Sequence, residues 1–469
     1  MIARGLEPDY PAAALIALAA IHGPSDEQPS RDMRERPWFS VDNDDSRDLD
    51  QITLADELPQ GAARVMVAIA NVDGLVTKGS PLDQHAATNT TSVYTAGGIF
   101  PMLPERLSTD LTSLGPGADR DAMVFEYEVS AQGQVTQDAI YPARVRNAAK
   151  LAYNSVAAWL EGKGPLPAPA QAAGVVEQLR LQDRIAQALL ARRMEEGALE
   201  LESLETRAVF SGDQLDSLAR QMSNRATQLI EELMVAANQV SARFVAARGI
   251  PSLRRVVRTP QHWDRLVEYA RTFGETLPRT PDSSALSAFL ATRHKADPLR
   301  FPDVSLAVVK MMGRGEYVVE TPGSSPIGHF GLAVSEYAHS TAPNRRYPDL
   351  LTQRMLKAAL RGLAPPYSPE ELGALAARCT AQEDNAEKVE RQVRKSAAAL
   401  LLESRVGDRF DALVTGTGLN GTWVRCLNPP VEGKLVHGEE GLGIGDRVRV
   451  KLIQTNVEQG FIDFVRVQH

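Results

Sequence analysis

Cysteine is nearly absent: the 469 residues include only Cys379 and Cys426. Two thiols cannot form a disulfide framework and their spacing matches no zinc site, so a reducing, cytoplasmic compartment is expected. A surplus of basic residues is also missing. Lysine and arginine number 51 against 59 acids, a formal net charge of −8. That balance excludes a generally basic nucleic-acid binder and leaves room only for a local basic channel in an acidic body. No apolar run is long enough to span a bilayer. The Ala/Leu/Ile stretch from Pro11 to Ile21 is too short, and Glu7 and Asp9 spoil the positive leader of a signal peptide, so it reads as a packing helix and no membrane partner is expected. With 43% apolar residues, the rest is ordinary globular composition, long enough for two or three domains, one of them large.

What is present in excess is aspartate in one place. Asp42, Asp44, Asp45, Asp48 and Asp50 fall within nine residues, flanked on both sides by apolar, strand-like sequence. Ser40–Asp42 and Ile52–Leu54 read as short strands around a tight Asn/Asp/Ser turn. Asp48 and Asp50 share one face of an extended segment, and Asp42 converges on them across the turn. Carboxylates this crowded repel unless a cation lies between them; with no Cys or His in the cluster, that cation is hard, Mg²⁺ or alternatively Mn²⁺. A solvated acidic turn is the plain alternative. An EF-hand is excluded, because Arg47 stands where that loop needs glycine and Thr53 where it needs a bidentate glutamate.

Along the chain, His22 to Pro37 is polar and proline-bearing, a linker or arm. From Phe39 to about Val145 the pattern is mostly strand, with Ala63–Ala70 and Met123–Val129 the clearest runs. Ala86 to Leu107 reads as a loop. Ala170–Glu196, Gln214–Ala247 and Pro260–Phe273 show helical spacing, Asp303–Met312 a short helix, and His329–Ala333 a strand. Helices follow at Tyr347–Arg361 and Ser368–Leu402. Five short strands between Arg409 and Val467, split by glycine turns, suggest a five-stranded OB-type barrel. On such a barrel the candidates for contacting a single strand are Trp423 and Arg425, with Arg447, Arg449 and Lys451 on the rim. The fold class expected is α+β, helices covering a mixed sheet, followed by the barrel.

Ser-Val-Asp42 through Arg-Asp48-Leu-Asp50 resembles the aspartate motif of the RNase II/RNase R (RNB) family of 3′→5′ exoribonucleases. Two further blocks match in family order: Tyr94 through Pro-Met-Leu-Pro104-Glu-Arg-Leu-Ser108, and Tyr337-Ala-His-Ser-Thr-Ala-Pro343-Asn-Arg345-Arg346-Tyr347-Pro-Asp349. The resemblance runs from about residue 37 to the C-terminus. It implies a helical arm over 1–37, an RNB catalytic domain over 38–406 and an S1-type OB domain over 407–469. It places Asp42, Asp48, Asp50 and Gln51 at the four metal positions, Gln51 standing where the family has its fourth acid. It also implies that Arg345 contacts the scissile phosphate and Tyr94 stacks on bases. Arg346, Tyr347 and, more distantly, Glu390 follow as RNA contacts. His339 is expected to hydrogen-bond, not to act as a base. Ala342 and Asn344 depart from the family's serine and aliphatic residue. Only about forty residues precede the aspartates, so the family's cold-shock domains are not expected.

The activity implied is Mg²⁺-dependent, processive hydrolysis of single-stranded RNA from its 3′ end by a monomer, with Asp50 and Arg345 as the catalytic pair. The products are 5′-nucleoside monophosphates and a short limit oligonucleotide. Because Gln51 brings no charge, the alternative is an RNA-binding relative with weak or no nuclease activity.

Overall fold

The structure, a computed structural model, describes residues 1–467 apart from 28, 203–205, 212–213, 221–222 and 419–420. The first part runs α1 (Ala12–Ala19), β1 (Arg31–Asp32), β2 (Trp38–Asp42), β3 (Gln51–Glu57), β4 (Ala63–Ala70) and α2 (Pro81–Asn89). A small hairpin follows, β5 (Val93–Thr95) and β6 (Gly98–Phe100), then β7 (Asp119–Val129) and the long β8 (Val135–Ala152). Next come α3 (Tyr153–Leu160), α4 (Val175–Glu195), β9 (Thr206–Ser211), β10 (Gln214–Arg220), α5 (Arg225–Ala246) and β11 (Ser252–Val256). The chain continues through α6 (Trp263–Arg271), α7 (Ser283–Ala296), α8 (Phe301–Met312), β12 (Glu316–Glu320), α9 (Tyr347–Leu360) and α10 (Pro369–Glu403). It ends in β13 (Arg409–Gly418), β14 (Gly421–Cys426), β15 (Glu432–His437), β16 (Arg447–Asn456) and β17 (Phe461–Arg466). The class is α+β, with a closed five-stranded barrel after the main sheet.

The main sheet has the order β1-β8-β2-β3-β4-β7, and β8 also pairs with β7. Length explains this. The first part of β8 lies antiparallel to β7, and its last residues run parallel to β2, in register Asp42↔Ala152. Period-two alternation sends Ile52, Leu54, Met66 and Ala68 to one face, against Leu350 and Leu351 of α9. Ala55, Val65, Val67 and Ile69 go to the other, against Leu179 of α4 and Leu229 and Leu233 of α5. The sheet is thus buried on both sides, and its strand ends are where polar groups can reach a cleft.

One helix ties the molecule together. At 35 residues, α10 is about 52 Å long, started by a capping box in which Ser368 and Glu371 satisfy each other's backbone. Leu372 and Cys379 pack in the core beside the sheet, Ala386 and Val389 against the β5–β6 hairpin, and Ala399 and Leu402 inside the barrel's core. The barrel closes through β15–β17, where any side chain at Gly433 would meet the Ile462 carbonyl at 2.5 Å.

Three expectations differ from the structure. Gln214 to Ala247 is not one helix: β10 pairs with β9, and the helix starts only after Asn224, whose side chain accepts from the Ala226 and Thr227 amides. Ala86 to Leu107 contains the end of α2 and the β5–β6 hairpin. His329–Ala333 is a 3-10 turn with Ala333 left-handed. The polar arm is also pinned, through Arg34–Asp119 and Arg144–Asp26 ion pairs and β1 against β8. Both cysteines are free and buried, and no helix among the described residues is long and apolar enough to cross a membrane.

Candidate active site

The acids stand where β2 ends and β3 begins. Asp42 closes β2; its Oδ1 accepts from the Asn43 amide at 2.7 Å and the Ser46 hydroxyl at 2.9 Å, tightening the turn. Lys150 of β8 holds the outside of that turn through the Asp44 and Ser46 carbonyls. Ser113 bridges the far limb, its hydroxyl donating to the Arg47 carbonyl and accepting from the Leu49 amide, so that Asp48 between them is fixed. Asp50 has no exposed surface. Burial pushes its carboxyl up to about 7, against the opposing pull of Arg345. Burial also raises Asp48, and the Asp42 charge adds to that rise.

The arginine turn reaches these acids from the other half of the chain. The Asn344 amide donates to Asp50 Oδ1 at 2.9 Å, across 294 residues of sequence. Arg345 Nε lies 3.3 Å from Asp50 Oδ2, an ion pair without a hydrogen bond, so that buried oxygen has no donor. The turn is held from behind. Asn238 of α5 accepts from both the amide and the hydroxyl of Ser340. Asp349 accepts from the Ala342 amide.

The Tyr94 block is stitched to the same turn. Ser92 donates to the Arg345 carbonyl at 2.9 Å, Tyr347 donates to the Thr90 carbonyl at 2.8 Å, and Thr91 bridges Arg346. Tyr94 lies within electrostatic reach of Arg345, Asp48 and Asp50, and burial raises its pKa to about 12. Tyr94 as a whole residue remains 41% exposed. Glu390 of α10 accepts from the Tyr94 amide at 2.8 Å. Asp42, Asp48, Asp50, Tyr94, Arg345 and Glu390 therefore share one neighbourhood.

Other expected residues are placed elsewhere. Arg346 forks onto Asp349, 2.8 Å at both contacts, which offsets its unfavourable position at the α9 N-terminus. Tyr347, expected to contact RNA, is 2% exposed and its hydroxyl donates to Asp83. Arg425 is turned from the barrel surface onto Asp303 of α8, which takes both its terminal nitrogens. Trp423 is half-buried on β14, its ring over Gly416 of β13, opposite Lys434 of β15. His339 is half-buried; desolvation and nearby arginines hold its pKa well down, and its Nδ1 is 2.8 Å from the Tyr317 hydroxyl. Tyr153 escaped the sequence reading. It opens α3 one residue past the Asp42↔Ala152 register and lies within electrostatic reach of Asp42 and Arg345. Only the parallel pairing of β8 with β2 reveals it.

Among the described residues, no three Asp, Glu, His or Cys side chains close round a point that could hold a metal ion unaided. The donors nevertheless suit a hard cation. They are oxygen only, burial disfavours the charged forms of Asp48 and Asp50, and both Asp50 Oδ2 and Gln51 Oε1 are buried without a hydrogen-bond partner. Such a site needs oxygens from water or a ligand to complete it.

A two-sided sheet carrying acids at its strand ends, faced by an arginine turn and followed by an OB-like barrel, defines a two-part α+β protein. The chain belongs to the RNB-domain family: the RNB domain model matches residues 30–362, and the RNase II-type exonuclease C-terminal S1 domain matches 408–467. Ribonuclease R of Vibrio parahaemolyticus is 30% identical over 479 residues, covering 93% of this chain and 56% of that one. Ribonuclease R of Escherichia coli is 30% identical over 475 residues, with 92% and 57% covered. The chain thus spans little more than half the length of these relatives. Among solved structures, apo RNase R of Mycoplasma genitalium superposes with a TM-score of 0.88 at 24% identity, over 100% of this chain and 77% of that one. Yeast Ssd1, a pseudonuclease, gives 0.70 at 16% identity, over 90% and 53%. At these identities the superpositions speak for the fold.

Proposed function

We propose that the chain is a hydrolytic 3′→5′ exoribonuclease that acts on single-stranded RNA and releases 5′-nucleoside monophosphates. The observation that carries this reading is the Asn344–Arg345 backbone and guanidinium meeting the buried Asp50 carboxylate. It joins acids and a phosphate-seeking cation at one point. Relatives named Ribonuclease R support it, as do Mycoplasma genitalium RNase R structures with ribose-methylated single-stranded RNA and with double-stranded RNA.

Asp42, Asp48, Asp50 and Gln51 are the residues that would hold Mg²⁺, with the phosphate and water as further ligands. When bound, such a cation supplies positive charge and acidifies a water for attack on phosphorus. The chain's own residues do the rest. The Arg345 guanidinium faces the phosphate and offsets the charge that grows on its oxygens in the transition state. Tyr94, fixed by Glu390, offers a ring face to a base near the 3′ end. Asn238 and Asp349 hold the arginine turn so that little reorganisation is needed. The half-exposed Trp423 on the barrel would stack on the strand farther upstream, beside Lys434.

Incubating the chain with 5′-labelled RNA and Mg²⁺ tests the reading. A ladder descending to a few nucleotides is expected. Retention of RNA with no shortening would instead favour a binding-only relative, a second reading motivated by the neutral Gln51.

A further inference from the structure

We propose that Ile99 is a second apolar contact for the RNA base held at Tyr94, which makes the β5–β6 hairpin a two-residue base platform. This rests on the exoribonuclease reading and deepens it. The hairpin pairs Val93↔Phe100, Tyr94↔Ile99 and Thr95↔Gly98. Directly opposed residues of an antiparallel pair project to the same face with Cβ atoms about 4.5–5.5 Å apart. Tyr94 and Ile99 are therefore neighbours on one face, and Val93 and Phe100 on the other.

The two faces have different fates. Val93 is fully buried with Leu6, Ala386 and Val389, and Phe100 packs beside them. That face is fixed to α10 and the N-terminal segment. The opposite face is open: Tyr94 is 41% exposed and Ile99 60%. Glu390 holds the Tyr94 amide from α10, and Thr95 donates its hydroxyl to the Gly98 carbonyl at 2.7 Å, so the open face is braced from both strands. Since the Ser92 amide, at the foot of β5, donates to the Arg345 carbonyl at 2.9 Å, and Tyr94 lies within electrostatic reach of Arg345 and Asp48, this face borders the acidic site. A solitary exposed isoleucine needs no explanation. One paired with a half-exposed aromatic at the edge of a phosphate site forms a continuous apolar surface, the surface a flat base covers.

The occupant is a nucleobase, so the contact should be base-dependent and indifferent to base identity. Binding of fluorescein-labelled single-stranded RNA to the full chain is measured by anisotropy, for wild type, Ile99→Ser and Ile99→Phe. The RNAs are intact or carry one abasic nucleotide at each of the last four positions in turn. Ile99→Ser should weaken intact RNA about fivefold, Ile99→Phe should bind at least as tightly as wild type, and one abasic position should abolish the difference between wild type and Ile99→Ser. An unchanged affinity for Ile99→Ser, or an equal loss on every abasic RNA, overturns the proposal. Ile99 is exposed, so thermal melting of the variants should match wild type. Because the readout is binding, it stands apart from the nuclease reading, which fails separately if wild type leaves RNA uncut.

Discussion

Asp50, just before β3, and Arg425, on β14, are both charged side chains largely screened from solvent, yet their surroundings treat them differently. Arg425 gives both terminal nitrogens to the Asp303 carboxylate, which is itself 9% exposed, and the pair clamps the barrel to α8. Asp50 receives one amide on Oδ1, while Oδ2 has only a loose ion pair with Arg345 and no hydrogen bond. Buried polar groups are ordinarily satisfied. The barrel follows that rule and the acidic site departs from it. A satisfied charge contributes to architecture, whereas an under-satisfied one keeps capacity for a ligand, at a cost in stability that the surrounding fold absorbs.

The largest effect that tests this contrast is at Asp50. Asp50→Asn should lower kcat by about a thousandfold or more on labelled RNA. Thermal stability should hold or rise, since burial already disfavours the charged carboxylate. Removing divalent cations with a chelator should abolish cleavage to a similar degree. Undiminished hydrolysis by Asp50→Asn would sink the proposed role. Next in size is the arginine pair. Arg345→Ala should cost about 10²–10³ in kcat with the fold intact. Arg346→Ala should mainly lower the melting temperature, because it strands the fully buried Asp349. Equal kinetic losses with no stability difference would dissolve the distinction between the two arginines.

The barrel clamp should respond the other way. Arg425→Ala removes the bidentate partner of the largely buried Asp303 carboxylate, a loss of up to about 3–5 kcal/mol for pairs of this kind. The joint replacement Arg425→Met with Asp303→Leu should restore most of it. Single-turnover cleavage of a very short oligonucleotide should change by less than about threefold in both, because neither residue touches the acids. A collapse of short-substrate cleavage in the stable double variant would show that Arg425 serves the chemistry after all.

The difference between the two regions also explains what could be read from the sequence. The aspartate cluster was legible from its density between strand-like flanks, and Tyr94 and Arg345 through the two further blocks that resemble the RNB family. The five barrel strands were legible because glycine turns punctuate alternating apolar residues. Arg425 and Tyr347 were not. A basic or aromatic residue on a predicted surface strand or helix start looks available, and only tertiary pairing with Asp303 or Asp83 removes it. The β9–β10 hairpin was hidden for a similar reason: helix-like spacing in Gln214–Ala247 belongs to α5, and the capping role of Asn224 marks the break only when its backbone partners are known. Tyr153 depended on a parallel register that no local pattern encodes.

The smallest expected effect asks how far the departure at the acidic site extends. Gln51 is 6% exposed, with an amide oxygen that has no hydrogen-bond partner, beside Asp50 in sequence. If it belongs to the cation site, Gln51→Asp should lower the Mg²⁺ concentration for half-maximal cleavage by about tenfold, through one more negative ligand. The same substitution adds a like charge near buried carboxylates, so the melting temperature should fall in chelator and recover, or exceed wild type, in millimolar Mg²⁺. The two readouts move in opposite directions only for a ligand. If Gln51 is merely a buried core amide, the aspartate should destabilise the chain equally with and without the cation and leave the Mg²⁺ requirement where it was. The boundary between satisfied architecture and open site would then fall between residues 50 and 51.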